Sequence, residues 1–299
     1  MNNVRGILLI ILAMAGFSIE DMFIKKLSAP LPTGQILIVL GLGSSLIFLV
    51  LAKLNGDRLL APAAWGRLPM WRAFFEAIAA AAFAGSLALV ELSTVAAVFQ
   101  ALPLAITMGA ALFLGEQVGW RRWSAISLGF VGVLLIIRPG FDGFDPASLL
   151  VLIAVVTVAA RDLITRRIDS AVSSYVVSFQ GFASLIVAGG CMLAFTTKPI
   201  GIIGSFEAWM FAGAILFGAA GYWGIVTAMR VGEASVVAPY RYTRLLFSLV
   251  IGILVFKEEP DTLTILGASL IIGTGLYTFL RERRLDKPVE PPHSDFPAD

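Results

Sequence analysis

Two arginines and two tyrosines stand inside an otherwise apolar run, in Pro239-Tyr240-Arg241-Tyr242-Thr243-Arg244. The run from Ala234 to Phe256 spans about 23 residues, enough at about 1.5 Å rise per residue to cross a hydrocarbon core of about 30 Å. Arg244 then falls near mid-depth, where insertion of an arginine costs roughly 2.5 to 3.5 kcal/mol and the charge needs a partner or a wet cavity. Arg241 and Arg244 are three residues apart and share a helical face with Ser248. Guanidinium forks match carboxylate or phosphate, and Tyr240, one turn before Arg244, can stack on it or on an aromatic substrate. The chemistry these residues offer is an anion-binding wall. The structural alternative is that Arg241 reaches to the membrane edge and Arg244 pairs permanently with a buried carboxylate.

Glu20 and Asp21 lie in the outer third of the first apolar run and can bind a cationic substrate group or carry a coupling proton. Adjacent residues point in different directions on a helix, and Asp21 is the favoured cavity residue because Asp162 occupies the matching place in the other half of the chain. Glu76 is expected at a depth similar to Arg241, with Arg72 four residues before it as a competing partner. Gln35, Gln100 and Gln180 suit either a zwitterionic ligand or helix bridging. Pro103 is expected to bend the fourth span. The single histidine, His293, is near the C-terminus. No phosphate-binding lysine loop, zinc-type cluster or nucleophile with a nearby base is present, so no catalytic residue, cofactor or metal is expected.

The elements that would position these groups follow from composition. Hydrophobic residues make up 58% of the 299-residue chain and charged residues 14%, well below the roughly 25% charged of a soluble domain. Apolar runs predict ten transmembrane helices, at about 5–26, 32–54, 70–90, 94–115, 122–138, 147–165, 173–196, 206–229, 234–256 and 262–280. None alternates with period two, as the strands of a membrane barrel would. Basic residues crowd the segments facing one side, Arg58, Arg67, Arg121, Arg122, Arg166, Arg167, Arg281, Arg283 and Arg284 among them, which predicts both termini in the cytoplasm. They mark topology and form no nucleic-acid patch. Residues 1–15 imitate a signal peptide, but the apolar run continues past Ala15 and is expected to stay. Cys191 has no cysteine to pair with. The proline-rich end, residues 285–299, is expected to be a disordered cytoplasmic tail.

The spans repeat. A shift of 141 places Asp21 on Asp162 and Lys25-Lys26 on Arg166-Arg167. A shift of 142 aligns the segment starting at Glu91 with that starting at Glu233, matching Ser93 to Ser235 and Glu116 to Glu258. Helices one to five therefore correspond to six to ten, and because five is odd the second copy enters the membrane inverted, with a site expected at the repeat interface. Small-residue patches such as Gly129, Gly132, Gly218, Gly221 and Gly224 are expected to serve helix packing, the last three also as a sliding stripe.

Ten helices in two halves, with LGEQ at Glu116 and FKEEP at Glu258, resemble the EamA family of the drug/metabolite transporter superfamily. The resemblance covers residues 5 to about 284 and implies an all-α polytopic fold, with five-helix repeats at 1–140 and 141–284. It also implies an inner-membrane carrier with a central cavity, in which Glu116 and Glu258 close the ends of the fourth and ninth helices as structural markers and Lys25 matches a recurring lysine. Glu20 and Asp21 depart from the usual family pattern. Pro239-Tyr240-Arg241-Tyr242 also resembles the segment of S-adenosylmethionine-type uptake carriers, and Val236-Val237-Ala238-Pro239 that of riboflavin-type ones. The expected function is secondary transport of a small organic metabolite with an anionic group by alternating access. Arg244, Arg241, Tyr240, Gln100 and Asp21 are the substrate-binding candidates, and the lipid bilayer, the substrate and coupling protons are the partners of a monomer or homodimer. Amino-acid or related export is the first reading, and uptake of S-adenosylmethionine- or riboflavin-like compounds the second. A scaffold or lipid-handling protein with structural arginines is the third.

Overall fold

Lipid offers no hydrogen bonds to exposed backbone, so the leucine-, isoleucine- and alanine-rich runs satisfy their amides internally as helices. The computed structural model describes residues 3–141, 144–169, 171–231 and 234–285. His293 and the C-terminal segment from 286, like Glu233, lie outside the described residues. Among the described residues, ten stretches are long and apolar enough to cross a membrane. Eight are single helices: α1 Asn3–Ser28, α2 Thr33–Leu54, α3 Arg67–Leu89, α6 Trp120–Ile137, α7 Leu149–Thr165, α8 Ser174–Phe195, α9 Ser205–Val231 and α12 Thr262–Leu285.

The fourth and ninth spans are broken. The fourth consists of α4 Leu92–Phe99 and α5 Leu102–Phe113, with the break at Gln100 and Ala101. That is upstream of the bend expected at Pro103, because proline is tolerated in a first turn, where its missing N–H has no helical partner. The ninth span, expected as one helix, runs through α10 Ala234–Val237, a 3-10 segment Ala238–Tyr242, α11 Thr243–Ile251 and a π turn Gly252–Phe256. Pro239 stands in the first turn of the 3-10 segment, as Pro103 stands in the first turn of α5. Discontinuous helices at corresponding places of two inverted halves are the usual frame of a carrier site.

The packing follows the inversion. α1 lies along α9, and its inverted counterpart is α7 along α3. α2 packs on α8 and α6 on α12 at backbone contact: a Cβ on Gly34 would sit 2.5 Å from the Gly189 carbonyl oxygen, and one on Gly132 2.7 Å from that of Gly267. Only glycine permits this approach. α4 packs against α11, whereas α5 packs against α7 and α6, and α10 against α1 and α9. The fourth and ninth spans therefore touch at one end and part at the other, the end where α1 begins and α12 finishes.

The repeat extends to single turns. Gly115 (φ 70°) and Lys257 (φ 58°), which correspond, are both left-handed. The Glu116 N–H donates to Ala110 O at 3.3 Å, and the Glu258 N–H to Gly252 O at 3.0 Å.

Candidate substrate site

The first span carries Ser18, Glu20 and Asp21 to the level where α11 begins. Arg244 Nη2 donates to both Asp21 carboxylate oxygens, at 3.0 and 2.7 Å, and Asp21 is buried. Ser18 Oγ donates to the Arg244 carbonyl at 3.2 Å and lies 3.0 Å from Ser248 Oγ, so α1 of one half is stitched to α11 of the other. Three rings surround the guanidinium, Phe17 at 5.3 Å, Phe83 at 5.6 Å and Phe99 at 5.5 Å. Their faces favour a cation and exclude water from one side of it. Tyr240 is not among them. In a 3-10 segment residues three apart eclipse, so residue 240 does not fall beneath 244 as it would in an α-helix. Tyr240 is exposed, while the Tyr242 hydroxyl packs against Gly275 of α12.

A second charged cluster occupies the inverted position. Arg161 corresponds to Glu20, Asp162 to Asp21 and Glu76 to Gly218. Arg161 pairs with Glu76 at 2.8 Å and with Asp162 at 2.8 Å. Glu76 also pairs with Arg72 at 3.1 Å, the intrahelical partner expected for it. Arg72 is further held by Thr165 Oγ1 at 3.2 Å and the Val177 carbonyl at 3.1 Å. Arg161 was absent from the sequence candidates. The signal for it was the same shift of 141, which places it opposite Glu20.

The two clusters differ in one respect that matters for binding. Where Arg161 finds the carboxylate of Glu76, Glu20 finds the bare backbone of Gly218, and a Cβ there would lie 2.5 Å from Glu20 Oε1. Among the described residues Glu20 has no ion-pair partner, although Asp21 and Arg244 are near enough to act on it electrostatically. Arg241 is the converse: exposed, without a carboxylate at ion-pair distance among the described residues, and within electrostatic reach of Asp162, Arg161 and Arg244. Glu20 and Arg241 thus both stand within electrostatic reach of Arg244 without an ion-pair partner among the described residues, and the Asp21 pair leaves the Arg244 donors on Nε and Nη1 unused.

The glutamines separate. Gln35 exchanges two hydrogen bonds with Gly201, at 2.8 and 2.9 Å, and Gln180 donates to the Ala64 carbonyl at 2.6 Å. Both brace loops. Gln100 lies at the break between α4 and α5, next to Phe99 of the arginine cage, which leaves it the glutamine best placed for a ligand.

At the end where the fourth and ninth spans meet, Glu258 accepts the Leu92 N–H at 2.6 Å, the Ser93 N–H at 2.9 Å and the Ser93 hydroxyl at 2.8 Å. A carboxylate thereby caps the N-terminus of α4. Lys25 stands 3.7 Å from Glu258, donates to the Leu87 carbonyl at 3.3 Å and to that of Val90, and lies 5.4 Å from the centre of the Phe256 ring.

The model of the EamA-like transporter family matches this sequence twice, over residues 4–138 and 145–280. The chain belongs to that family. It is a multi-pass membrane protein of two inverted five-helix repeats. Among relatives of this EamA-type chain, the S-adenosylmethionine uptake transporter of Rickettsia prowazekii is 27% identical over 66% of this chain and 66% of its own length, just under two thirds. The riboflavin transporter of Rhizobium johnstonii is 29% identical over 72% of this chain and 71% of its own. The pseudopaline exporter CntI of Pseudomonas aeruginosa is 26% identical over 89% and 93%. A solved crystal structure superposes with a TM-score of 0.63 over 94% of this chain and 99% of that one, at 17% identity, a likeness of fold alone. These relatives are named as carriers of S-adenosylmethionine, riboflavin and pseudopaline.

Proposed function

We propose that this EamA-type protein is a secondary carrier of the inner membrane, with both termini cytoplasmic. It would move a small metabolite bearing an anionic group by alternating access between its halves, residues 1–140 and 141–284. The observation that carries the reading is that Glu20 and Arg241, both within electrostatic reach of Arg244, have no ion-pair partner among the described residues. Arg241 and the unused donors of Arg244 receive the carboxylate of the substrate, in the bidentate manner guanidinium favours. Glu20 receives a cationic group, supplying to the ligand what Glu76 supplies to Arg161. Asp21 holds Arg244 in place, and Tyr240 and Gln100 line the approach. A substrate with both charges, an amino-acid-like zwitterion, leaves no charge unpaired in the site, and burying an unpaired charge is the costly alternative.

S-adenosylmethionine, named for the Rickettsia relatives, carries an amino-acid head that fits the same two charges, and its sulfonium is a third charge that neither Glu20 nor Arg241 matches. Riboflavin has no permanent charge and uses neither.

The test is flux of labelled amino acids, S-adenosylmethionine and riboflavin in both directions across proteoliposomes holding wild type, Glu20→Gln or Arg241→Gln, with and without a pH gradient. Saturable flux of a zwitterion, lowered at least about tenfold by either substitution in protein that melts as wild type does, supports the assignment. Flux of riboflavin alone, or zwitterion flux unchanged in both variants, overturns it.

A further inference from the structure

Two glutamates on identical turns meet different surroundings. The left-handed residue before each, Gly115 or Lys257, and the backbone hydrogen bond from each, to Ala110 O or Gly252 O, are the same. Each also faces a basic residue of the opposite half. Glu258 lies 3.7 Å from Lys25, and Glu116 lies 3.6 Å from Arg166, which is the residue corresponding to Lys25. The environments then diverge. The Glu258 side chain is 5% exposed and caps α4, whereas that of Glu116 is 51% exposed, at the end where the fourth and ninth spans have parted.

We propose that Glu258 and Glu116 are alternating latches. In the conformation seen here the Glu258 latch is engaged on the amides of Leu92 and Ser93, closing the end away from the chain termini. In the opposite conformation Glu116 is drawn in to the corresponding amides, those of Ala234 and Ser235 at the start of α10, and closes the other end while Glu258 lets go. Arg166 then does for Glu116 what Lys25 does for Glu258, partnering the carboxylate as it leaves water.

The physical basis is that a helix N-terminus presents unsatisfied N–H donors and a partial positive charge. The start of α4 is such a terminus, filled by the glutamate of the other half, and the start of α10 is the place that corresponds to it in the inverted repeat. A state with neither latch engaged leaves two such termini without their carboxylate, so the molecule prefers one end shut at a time. That preference is what alternating access requires, and the inference rests on the carrier reading above in this respect only.

The test needs no substrate, so its result stands whether or not transport of any probe is found. Spin labels at Leu112→Cys and Val236→Cys, in a Cys191→Ser background of the full chain in lipid nanodiscs, report the separation of α5 from α10 by pulsed electron resonance. Glu258→Gln should raise the short-distance fraction relative to the long by about tenfold, the scale of losing charge-assisted bonds to two amides. Adding Glu116→Gln to Glu258→Gln should reverse that shift, and Glu116→Gln alone should lower the short fraction. Should Glu258→Gln not purify as folded protein, Ser93→Ala, which removes the hydroxyl bond alone, is expected to shift the ratio in the same direction by a smaller factor. An unchanged distribution in Glu258→Gln, or in Ser93→Ala where that replaces it, overturns the proposal. So does a double variant indistinguishable from Glu258→Gln, or a shift of the same sign from both single glutamate changes.

Discussion

Arg244 Nη2 lies 2.7 Å from Asp21 Oδ2, and this contact joins α11 of the second half to α1 of the first within the membrane. It answers the problem that a mid-depth arginine poses, and it leaves part of the guanidinium free of the pair.

Breaking this pair from one side should be expensive. Arg244→Ala leaves Asp21 buried without a counter-charge, a loss of about 3 to 5 kcal/mol by analogy with buried pairs in soluble proteins. Asp21→Ala/Arg244→Ala together should lose less than the sum of the single changes, with a coupling of roughly 0.5 to 3 kcal/mol. Thermal unfolding of the three proteins in detergent measures it. Strictly additive losses would mean that the contact contributes nothing specific.

The glycine seams give a sharper steric prediction. Gly34→Val places side-chain atoms where the Gly189 carbonyl stands 2.5 Å from the would-be Cβ, so folded yield and melting temperature should fall steeply. Gly190, whose Cβ would meet nothing within 4 Å, should accept alanine with melting unchanged within error. Comparison of the two variants by size-exclusion and melting separates packing from a general intolerance of change.

Outside the membrane, Asp261 pairs with Arg138 and caps α12 through the Thr264 N–H at 2.9 Å. The hydrogen bond from Arg138 leads in pulling its carboxyl from 3.8 down to about 2. A depressed folded value means that the stabilisation is complete above the ordinary value and disappears as pH falls from about 4 toward 2. Asp261 is 47% exposed, so water screens the pair and its worth is under about 1 kcal/mol. Asp261→Asn keeps a capping oxygen and loses the charge. Its melting deficit at neutral pH should be small and should close on acidification below about 4. A deficit that stays constant down to that range would assign the effect to the cap.

Lys257 holds a left-handed conformation (φ 58°) where the corresponding residue is Gly115. Lys257→Gly should therefore be tolerated or raise stability by up to about 1 kcal/mol, since a residue with a Cβ is strained there by about 1 to 2 kcal/mol. Gly115→Lys should lose a similar amount. Paired melting curves check both signs.

Most of the architecture was legible because the apolar runs are long and closely spaced, and because Glu116 and Glu258 keep register across the repeat. Arg244, Asp21 and Gln100 were legible as polar groups at depth, but their division of labour was not. Which of two adjacent carboxylates meets an arginine depends on helix rotation, set by the contact of α1 with α9, and the sequence does not state that contact. The break at Gln100 was placed too late because proline marks where a helix restarts as well as where it bends. Tyr240 was assigned to the arginine on an α-helical turn that is locally 3-10. Arg161 escapes the sequence reading because it stands close to Arg166 and Arg167 at the basic end of its span, where a further arginine draws no notice.

The backbone contacts of Gly34 with Gly189 and of Gly132 with Gly267 have a use beyond packing. They fasten α2 to α8 and α6 to α12, so each seam joins one helix from either half without side chains between them to yield. Any rocking of the halves must pivot about these two seams, and a separation measured across either one serves as a fixed ruler against which every other distance in the working protein can be read.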